Sequence, residues 1–265
     1  QQSISRLFIA GGLPGLMLIG LFMLYVMIWS WIKPGATPRE YERLSLREKL
    51  WRSRYLIPVI LLIAAVLGSI YGGYATPTEA AGMGAGLALL IAAVSGRMSW
   101  RVLRRVIIDT AYTSVSLYTV LFGALMLSKL LTLSGLAAGV LGLVGATGLE
   151  AMWLILAILA VFLVLGCVMD SMAIILIFVP LFAPIVVAEG FDLVWFGIIV
   201  IVVTEIALIT PPVGMNVFVL KAVLPDVPVA RIFRGLVPFV GVDLIRLGVL
   251  LAFPALTLWL GSTVA

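Results

Sequence analysis

Long apolar runs alternate with short polar segments along this chain, and the apolar runs set the helices that the sequence predicts. Runs at 7–32, 106–131 and 236–261 are long enough to cross a bilayer core, which takes about 20 residues of α-helix. Four shorter apolar runs lie at 56–71, 80–95, 151–165 and 172–188. Because these runs are continuous and do not alternate with polar residues, they predict helices and exclude a transmembrane β-barrel.

A further run, 193–224, is interrupted by Thr210-Pro211-Pro212-Val213-Gly214. Proline removes a backbone donor and pushes the preceding residue toward extended geometry, so the sequence predicts two half-helices that meet at about mid-membrane depth. Such a break leaves free carbonyls and free amides, which suit a cation and an anionic ligand respectively. A packed proline kink is the alternative, but the nearby Glu205, Thr204 and Asn216 favour a binding site.

A second unusual element is the hairpin 151–189, whose two apolar runs are joined by Gly166-Cys167-Val168-Met169-Asp170-Ser171. If 106–131 crosses outward, both ends of this hairpin lie outside and Asp170 lies deep in the membrane. The alternative is two ordinary crossings with Asp170 in a cytoplasmic turn. No basic residue lies between Lys129 and Lys221, unlike the other segments assigned to the cytoplasm, and this favours a re-entrant hairpin.

Composition agrees with a membrane location. The chain is 63% hydrophobic and 11% charged, whereas soluble domains are roughly half apolar and a quarter charged. It has no histidine and one cysteine, Cys167, which excludes a His/Cys metal set, a His-dependent triad and an intrachain disulfide. The chain starts at Gln1 and soon enters an apolar run, so we expect it to be the later part of a longer protein.

Basic residues set the predicted topology. The loop 33–54 is placed in the cytoplasm by seven of them, and its segment 45–54 is predicted to be an amphipathic helix on the membrane surface. They are Lys33, Arg39, Arg43, Arg47, Lys49, Arg52 and Arg54. This excess of Lys and Arg is a topology signal and does not indicate a nucleic-acid partner. The pair of runs within 56–95 goes out and back, either as full crossings or as a partly re-entrant pair, and Thr78 is expected to cap its second helix.

The last predicted helix, 236–261, carries Asp243 and Arg246 three residues apart and hence on one face. This spacing favours a structural ion pair over a transport site. With Lys221, Arg231 and Arg234 inside, this helix crosses outward and the C-terminus is predicted to lie outside.

Several stretches of the chain together carry a family resemblance. The strongest is 205–218, EIALITPPVGMNVF. The others are 74–81 (YATPTEAA), 166–170 (GCVMD), Pro180 with Pro184, 196–199 (FGII) and 253–260 (FPALTLWL). They resemble the large membrane subunit of tripartite ATP-independent periplasmic (TRAP) transporters of the dicarboxylate and sialic-acid type. Two positions depart from the family pattern: Ala207 stands where glycine is usual, and Ser171 where proline is frequent.

The resemblance implies an all-α integral membrane protein of the elevator type (ion-transporter superfamily), built from inverted repeats with a re-entrant helical hairpin and a broken helix. This chain matches the second inverted repeat and the last helix of the first. The N-terminal half of the same subunit, with the hairpin and broken helix of the first repeat, is therefore expected to be missing. Residues 1–105 and 236–265 are predicted to form scaffold, and 106–235 the moving transport domain. The implied partners are a small four-helix membrane subunit and a periplasmic substrate-binding protein, in the bacterial inner membrane.

The resemblance also implies transport of an organic acid, sialic acid or a C4-dicarboxylate, driven by Na⁺. Na⁺ is a hard cation that prefers oxygen ligands, and helix N-termini bind carboxylates. The expected sodium-binding residues are Gly166, Asp170, Thr210, Pro211, Val213 and Gly214. The expected substrate-binding residues are Ser171, Pro212, Met215 and Asn216. Thr204 and Glu205 are expected to support the site. Glu205 either orients the break or balances the cation charge; the alternative is a protonated, buried glutamate bonded to a neighbouring helix.

Two rival functions remain open from the residues alone. One is an intramembrane enzyme using a carboxylate pair from Asp109, Asp170 and Asp243, which predicts catalysis without an ion gradient. The other is a structural subunit with inert kinks, which predicts that Asp170 and 210–216 tolerate substitution. The sequence leaves open which acid is carried, how many Na⁺ ions bind, whether the small subunit is fused, and the oligomeric state.

Overall fold

The computed structural model describes residues 4–34, 45–135, 139, 142, 150–211 and 214–262. These residues form α-helices and one 3₁₀ helix, Arg54–Leu56, with no strand among them, which confirms the all-α prediction for this part of the chain. The α-helices are α1 (Ile4–Ala10), α2 (Gly12–Ile32), α3 (Leu46–Ser53), α4 (Ile57–Tyr71), α5 (Pro77–Val94), α6 (Trp100–Leu133), α7 (Ala151–Gly166), α8 (Ser171–Ala188), α9 (Leu193–Ile209), α10 (Met215–Val223), α11 (Val229–Ala252) and α12 (Ala255–Ser262).

Five stretches of described helix are long and apolar enough to cross a membrane: Arg6–Ile32, Pro77–Val94, Trp100–Leu127, Ser171–Ala188 and Val229–Ala252. Many of their large apolar side chains face outward, as lipid-facing residues do. The chain is therefore a multi-pass membrane protein. Helices α7 and α9 have 16 and 17 residues, which at about 1.5 Å per residue is shorter than a bilayer core of about 30 Å.

The chain divides into two compact units. One contains Arg6–Tyr25 and the described part of Val115–Ala265; the other contains the described part of Val26–Ser114. The predicted scaffold and transport domains have other boundaries than these units. They concern which residues move during transport, so this division stays a prediction.

Helix α9 forms the centre of the first unit. Eleven of its residues are buried, and it packs against α7, α8 and α11. A helix that is apolar on every side needs such cover. Phe162 of α7 lies against Phe182 of α8 and Phe196 of α9, with ring centroids 5.7 and 6.3 Å away. The hairpin and the broken helix thus share one core.

Helix α11 runs beside α9 and is joined to it by a buried hydrogen bond. The indole Nε1 of Trp195 donates to the carbonyl oxygen of Leu250 over 3.2 Å. Trp195 is 1% exposed, so the indole N–H is removed from solvent and its hydrogen bond compensates that loss. This contact fixes the start of α9 against the end of α11.

The predicted final helix, 236–261, was wrong as a single helix. Helix α11 starts earlier, at Val229, and ends at Ala252, and α12 starts at Ala255. Phe253 leaves helical geometry with φ −127° and ψ 73°, because the ring of Pro254 disfavours the helical region for the residue before it. Helix α6 also starts earlier than predicted, at Trp100, so the arginines from 101 to 105 lie on its first turns.

In the second unit, the cap of α5 differs from the prediction. Thr76, not Thr78, caps this helix: the Thr76 hydroxyl accepts from the Glu79 amide, and the Glu79 carboxylate accepts from the Thr76 amide. Pro77 then occupies the first helical position, where its missing N–H costs nothing. Thr76 and Glu79 are therefore the two halves of a capping box.

The predicted surface helix within 45–54 is present as α3. Ser45 caps it with a second capping box that uses Glu48, and the guanidinium of Arg54 lies 3.6 Å from the ring centroid of Trp51. The amphipathic helix is thus confirmed, and its position on the membrane surface stays a prediction. Helices α4 and α5 pack closely where Gly84 meets Val66, since a Cβ at Gly84 would lie 2.8 Å from the Val66 side chain.

Candidate functional site

The predicted break in the helix 193–224 is confirmed. Helix α9 ends at Ile209, and Thr210 is extended, with φ −95° and ψ 140°. The Thr210 amide donates to the carbonyl of Ala207 over 3.1 Å, and its hydroxyl donates to the carbonyl of Ile206 over 2.6 Å. Since the hydroxyl proton is already used, the lone pairs on Thr210 Oγ1 remain able to accept a donor or a cation.

The second half-helix starts at a glycine whose backbone is left-handed. Gly214 has φ 55° and ψ 73° and precedes α10. A Cβ on Gly214 would lie 3.2 Å from the Thr210 carbonyl oxygen and 3.1 Å from the Phe233 ring. The end of α9 and the start of α10 are therefore close together, and the first amides of α10 are helix N-terminal donors. Asn216, in this first turn, is exposed.

The hairpin tip is a short turn between α7 and α8. The amide of Met169 donates to the carbonyl of Leu165 over 2.8 Å, and α8 starts at Ser171, which is half-buried. Asp170 caps α8: its carboxylate accepts from the Met172 amide over 3.0 Å and is otherwise exposed. The acidic residue at the tip therefore has a local structural task, which sequence reasoning missed.

The tip of the hairpin lies against the end of α9. A Cβ built on Gly166 would come within 2.5 Å of the Ala207 Cβ, a distance that real Cβ atoms do not reach. Gly166 and Ala207 are both buried. The hairpin tip and the last turn of α9 before the break therefore meet at this contact. Ala207 was noted in the sequence only as a departure from a glycine, and its small side chain is what touches the tip.

The two residues expected to support the site behave differently from each other. The Thr204 hydroxyl is buried and donates within its own helix, to the carbonyls of Val200 and Ile201 over 2.8 and 2.9 Å. Glu205 is hydrogen-bonded to a neighbouring helix, as expected for the alternative of a buried glutamate. Its side chain is nevertheless 53% exposed and therefore not buried. Its partner is Arg246 of α11, whose Nη2 lies 3.4 Å from Glu205 Oε2.

Arg246 also contacts the partner that its spacing predicted. Its Nε lies 3.1 Å from Asp243 Oδ1, and the side chains of Arg246 and Asp243 are 2% and 5% exposed. The ion pair expected from the spacing is confirmed. Its link to Glu205 was missed, because a separation of 41 residues carries no periodic signal and the rotation of each helix is set by packing.

The remaining predicted site residues fall into two groups. Pro211 is exposed at the end of α9, and Met215 is the first residue of α10. Pro212 and Val213 lie outside the described residues. Within the described ranges no three Asp, Glu or Cys side chains converge as a metal site. The Thr210 hydroxyl and the backbone carbonyls at the break are oxygen donors of the kind that hard cations prefer.

Comparison with known proteins places this architecture in one family. Residues 1–256 match the family described as "Tripartite ATP-independent periplasmic transporter, DctM component". The chain is 34% identical over 269 residues to a C4-dicarboxylate TRAP transporter large permease protein, DctM, of Pseudomonas aeruginosa, covering 99% of this chain and 62% of that protein. It is 32% identical over 270 residues to an ectoine/5-hydroxyectoine TRAP transporter large permease protein of Ruegeria pomeroyi, covering 98% and 60%.

A third relative is an isethionate TRAP transporter permease protein, DctMQ, of Oleidesulfovibrio alaskensis, 31% identical over 268 residues, with 98% of this chain and 40% of that protein covered. The chain thus spans between 40% and 62% of the length of these relatives. Both the profile and the relatives cover nearly all of this chain. The chain therefore belongs to the DctM family, the large permease component of tripartite ATP-independent periplasmic transporters.

Proposed function

We propose that this chain is part of a secondary symporter that imports an organic acid with Na⁺ across the bacterial inner membrane. The observation that carries the proposal is the contact between Gly166 at the hairpin tip and Ala207, three residues before the helix break. It places two interrupted elements of the membrane domain side by side. Backbone that is not helical at membrane depth is tolerated only where it is buried in protein or lines a polar cavity.

The cation would be held on the α9 side of the break. The last carbonyls of a helix carry partial negative charge, and the Thr210 hydroxyl oxygen retains its lone pairs because its proton is donated to Ile206. Carbonyls near Gly166, Pro211, Val213 and Gly214 complete the proposed oxygen set. Asp170 would contribute charge at the tip while it caps α8.

The acid would be held on the α10 side. The amides that follow Gly214 open this helix, and a helix N-terminus attracts a carboxylate through its free donors and its dipole. Asn216 would hydrogen-bond the acid, with Ser171, Pro212 and Met215 lining the same space. Binding of the cation would order the backbone around Thr210 and Gly214, and so increase the affinity for the acid; by linkage, the acid would increase the affinity for the cation equally.

The substrate class is proposed from the chemistry of the relatives' cargo. Their names give C4-dicarboxylate, isethionate and ectoine as substrates of those proteins. These compounds carry a carboxylate or a sulfonate, so an anionic group is common to them. For this chain we propose sialic acid or a C4-dicarboxylate, delivered by a periplasmic substrate-binding protein.

The remaining components of the transporter and their arrangement are proposed from the family. A small four-helix membrane subunit, the N-terminal half of the same large subunit and the lipid bilayer would complete it. Residues 106–235 would move as an elevator, and 1–105 with 236–265 would brace it. The loop 33–54 would lie in the cytoplasm and the C-terminus in the periplasm.

The test uses the complete transporter in proteoliposomes. Uptake of labelled sialic acid and C4-dicarboxylates is measured with and without an inward Na⁺ gradient, and with and without the binding protein. Uptake that needs both supports the proposal. Equal uptake with and without the Na⁺ gradient contradicts ion coupling. If none of the tested acids is taken up, the alternative of a structural subunit with inert kinks is favoured. Chemical conversion of the acid without a gradient would favour the carboxylate enzyme.

A further inference from the structure

Arg246 has an unusual position for a charged residue. It lies in α11, within the stretch Val229–Ala252 that is long and apolar enough to span the membrane, and its side chain is 2% exposed. A guanidinium in such a place is costly unless it is paired. It has two carboxylate neighbours, Asp243 on its own helix and Glu205 on α9.

The two carboxylates do different things for Arg246. Asp243 is itself buried, lies 3.1 Å away and is on the same helix, so this pair alone brings the buried positive charge next to a negative one. Glu205 is 53% exposed and lies on another helix. The contact to Glu205 adds a hydrogen bond from Nη2 of Arg246, which the Asp243 pair lacks, and it links α11 to α9.

That link is made close to the break. Glu205 is five residues before Thr210 and two before Ala207, which touches the hairpin tip. The other end of α9 is tied to α11 by the Trp195–Leu250 hydrogen bond. A carboxylate close to a helix C-terminus is also opposed by the helix dipole, and the guanidinium offsets that repulsion.

We propose that Arg246 is a positioning residue that acts through Glu205: it holds the last turns of α9, and so sets the carbonyls and the Thr210 hydroxyl of the break in place. The proposal rests on the proposed function in that the break is taken to bind the transported ion. Asp243 supplies the neighbouring negative charge that compensates the buried guanidinium from its own helix.

The experiment compares Arg246→Met, Glu205→Gln and the double variant in the complete transporter, with Arg246→Lys as the conservative variant. Arg231→Met is the matched control, since Arg231 is an exposed arginine on the same helix. Two quantities are measured: the Na⁺ concentration for half-maximal uptake, and hydrogen exchange of the backbone amides of 206–217 relative to 194–202.

Both single variants are expected to raise the half-activating Na⁺ concentration about fivefold, with maximal uptake within about twofold of the parent, since ordering of the break is what the ion requires. Exchange in 206–217 should rise at least about threefold while 194–202 stays unchanged. The double variant should be no worse than Arg246→Met alone, because Arg246→Met already removes the Glu205 contact together with the Asp243 pair. Arg246→Lys should recover part of the effect, and Arg231→Met should show none.

A uniform rise in exchange over both segments, with lower maximal uptake and unchanged half-activation, would overturn the proposal and leave Arg246 a residue of general stability. Unchanged exchange in 206–217 would overturn it as well. If uptake by the parent protein is independent of Na⁺, the proposed function fails. Hydrogen exchange of the amides of 206–217 then still decides whether Arg246 orders the break.

Discussion

Gly166 and Ala207 are in direct contact, and no side chain larger than hydrogen fits at Gly166, since its Cβ would lie 2.5 Å from the Ala207 Cβ. This contact joins the tip of one interrupted element to the end of another. Close approach of helices in membranes commonly relies on such small residues. These two small residues therefore permit the close approach of the hairpin tip to the end of α9.

The first prediction follows from this contact. Gly166→Ala should destabilise the protein by about 1–3 kcal/mol, the usual cost of overpacking, and reduce uptake. Adding Ala207→Gly should restore most of both, because it removes the methyl group that the new Cβ meets. Thermal unfolding of the complete transporter measures this, with Gly248→Ala as control, since a Cβ at Gly248 has no neighbour within 4 Å. No recovery in the double variant would contradict the contact.

A second prediction concerns the left-handed cap at Gly214. Gly214→Ala combines a strained backbone, which costs about 1–3 kcal/mol, with contacts of 3.1 Å to Phe233 and 3.2 Å to the Thr210 carbonyl. Gly73→Ala is the matched control, because Gly73 has φ 69° with nothing near its Cβ position. Gly214→Ala should therefore lower the unfolding midpoint more than Gly73→Ala does, and it should reduce substrate affinity. If both variants lower the unfolding midpoint equally, Phe233 and the Thr210 carbonyl move away from the new Cβ without a measurable cost.

Asp170 allows its two roles to be separated in a third prediction. Asparagine caps helices about as well as aspartate, whereas alanine loses about 1 kcal/mol of capping. Asp170→Asn should therefore keep stability and raise the Na⁺ concentration for half-maximal uptake, while Asp170→Ala should impair both. The control is Asp192→Asn, at the cap of α9, where Asp192 accepts from Val194 and Trp195. If Asp170→Asn leaves the Na⁺ concentration for half-maximal uptake unchanged, Asp170 acts only as the N-cap of α8.

The fourth prediction tests whether the hairpin is re-entrant. Val168 is exposed at its tip, and Leu46 is exposed at the start of α3. With native cysteines replaced, a bulky maleimide applied to inside-out vesicles should label Leu46→Cys rapidly and Val168→Cys at least about tenfold more slowly, because a tip at membrane depth is hard to reach. Equal labelling would favour two ordinary crossings with the tip in the cytoplasm.

The sequence by itself determined the features that depend on a few neighbouring residues. The helix break required only Pro211, Pro212 and Gly214, because backbone restrictions act locally. The apolar runs determined the membrane class, and the spacing of Asp243 and Arg246 determined their pairing. The same local rules explain the two helix ends that differ from the prediction: Thr76 rather than Thr78 has the capping geometry at α5, and Pro254 ends α11.

Only the tertiary structure decided which residues meet across helices. The contact of Gly166 with Ala207 and the bond of Arg246 to Glu205 depend on the rotation of each helix about its axis and on how deeply it packs. Those quantities result from the fit of many side chains in the core around α9, not from any periodic pattern. The sequence could therefore locate the break and the hairpin tip along the chain. Packing alone determined which atoms of the tip contact the end of α9.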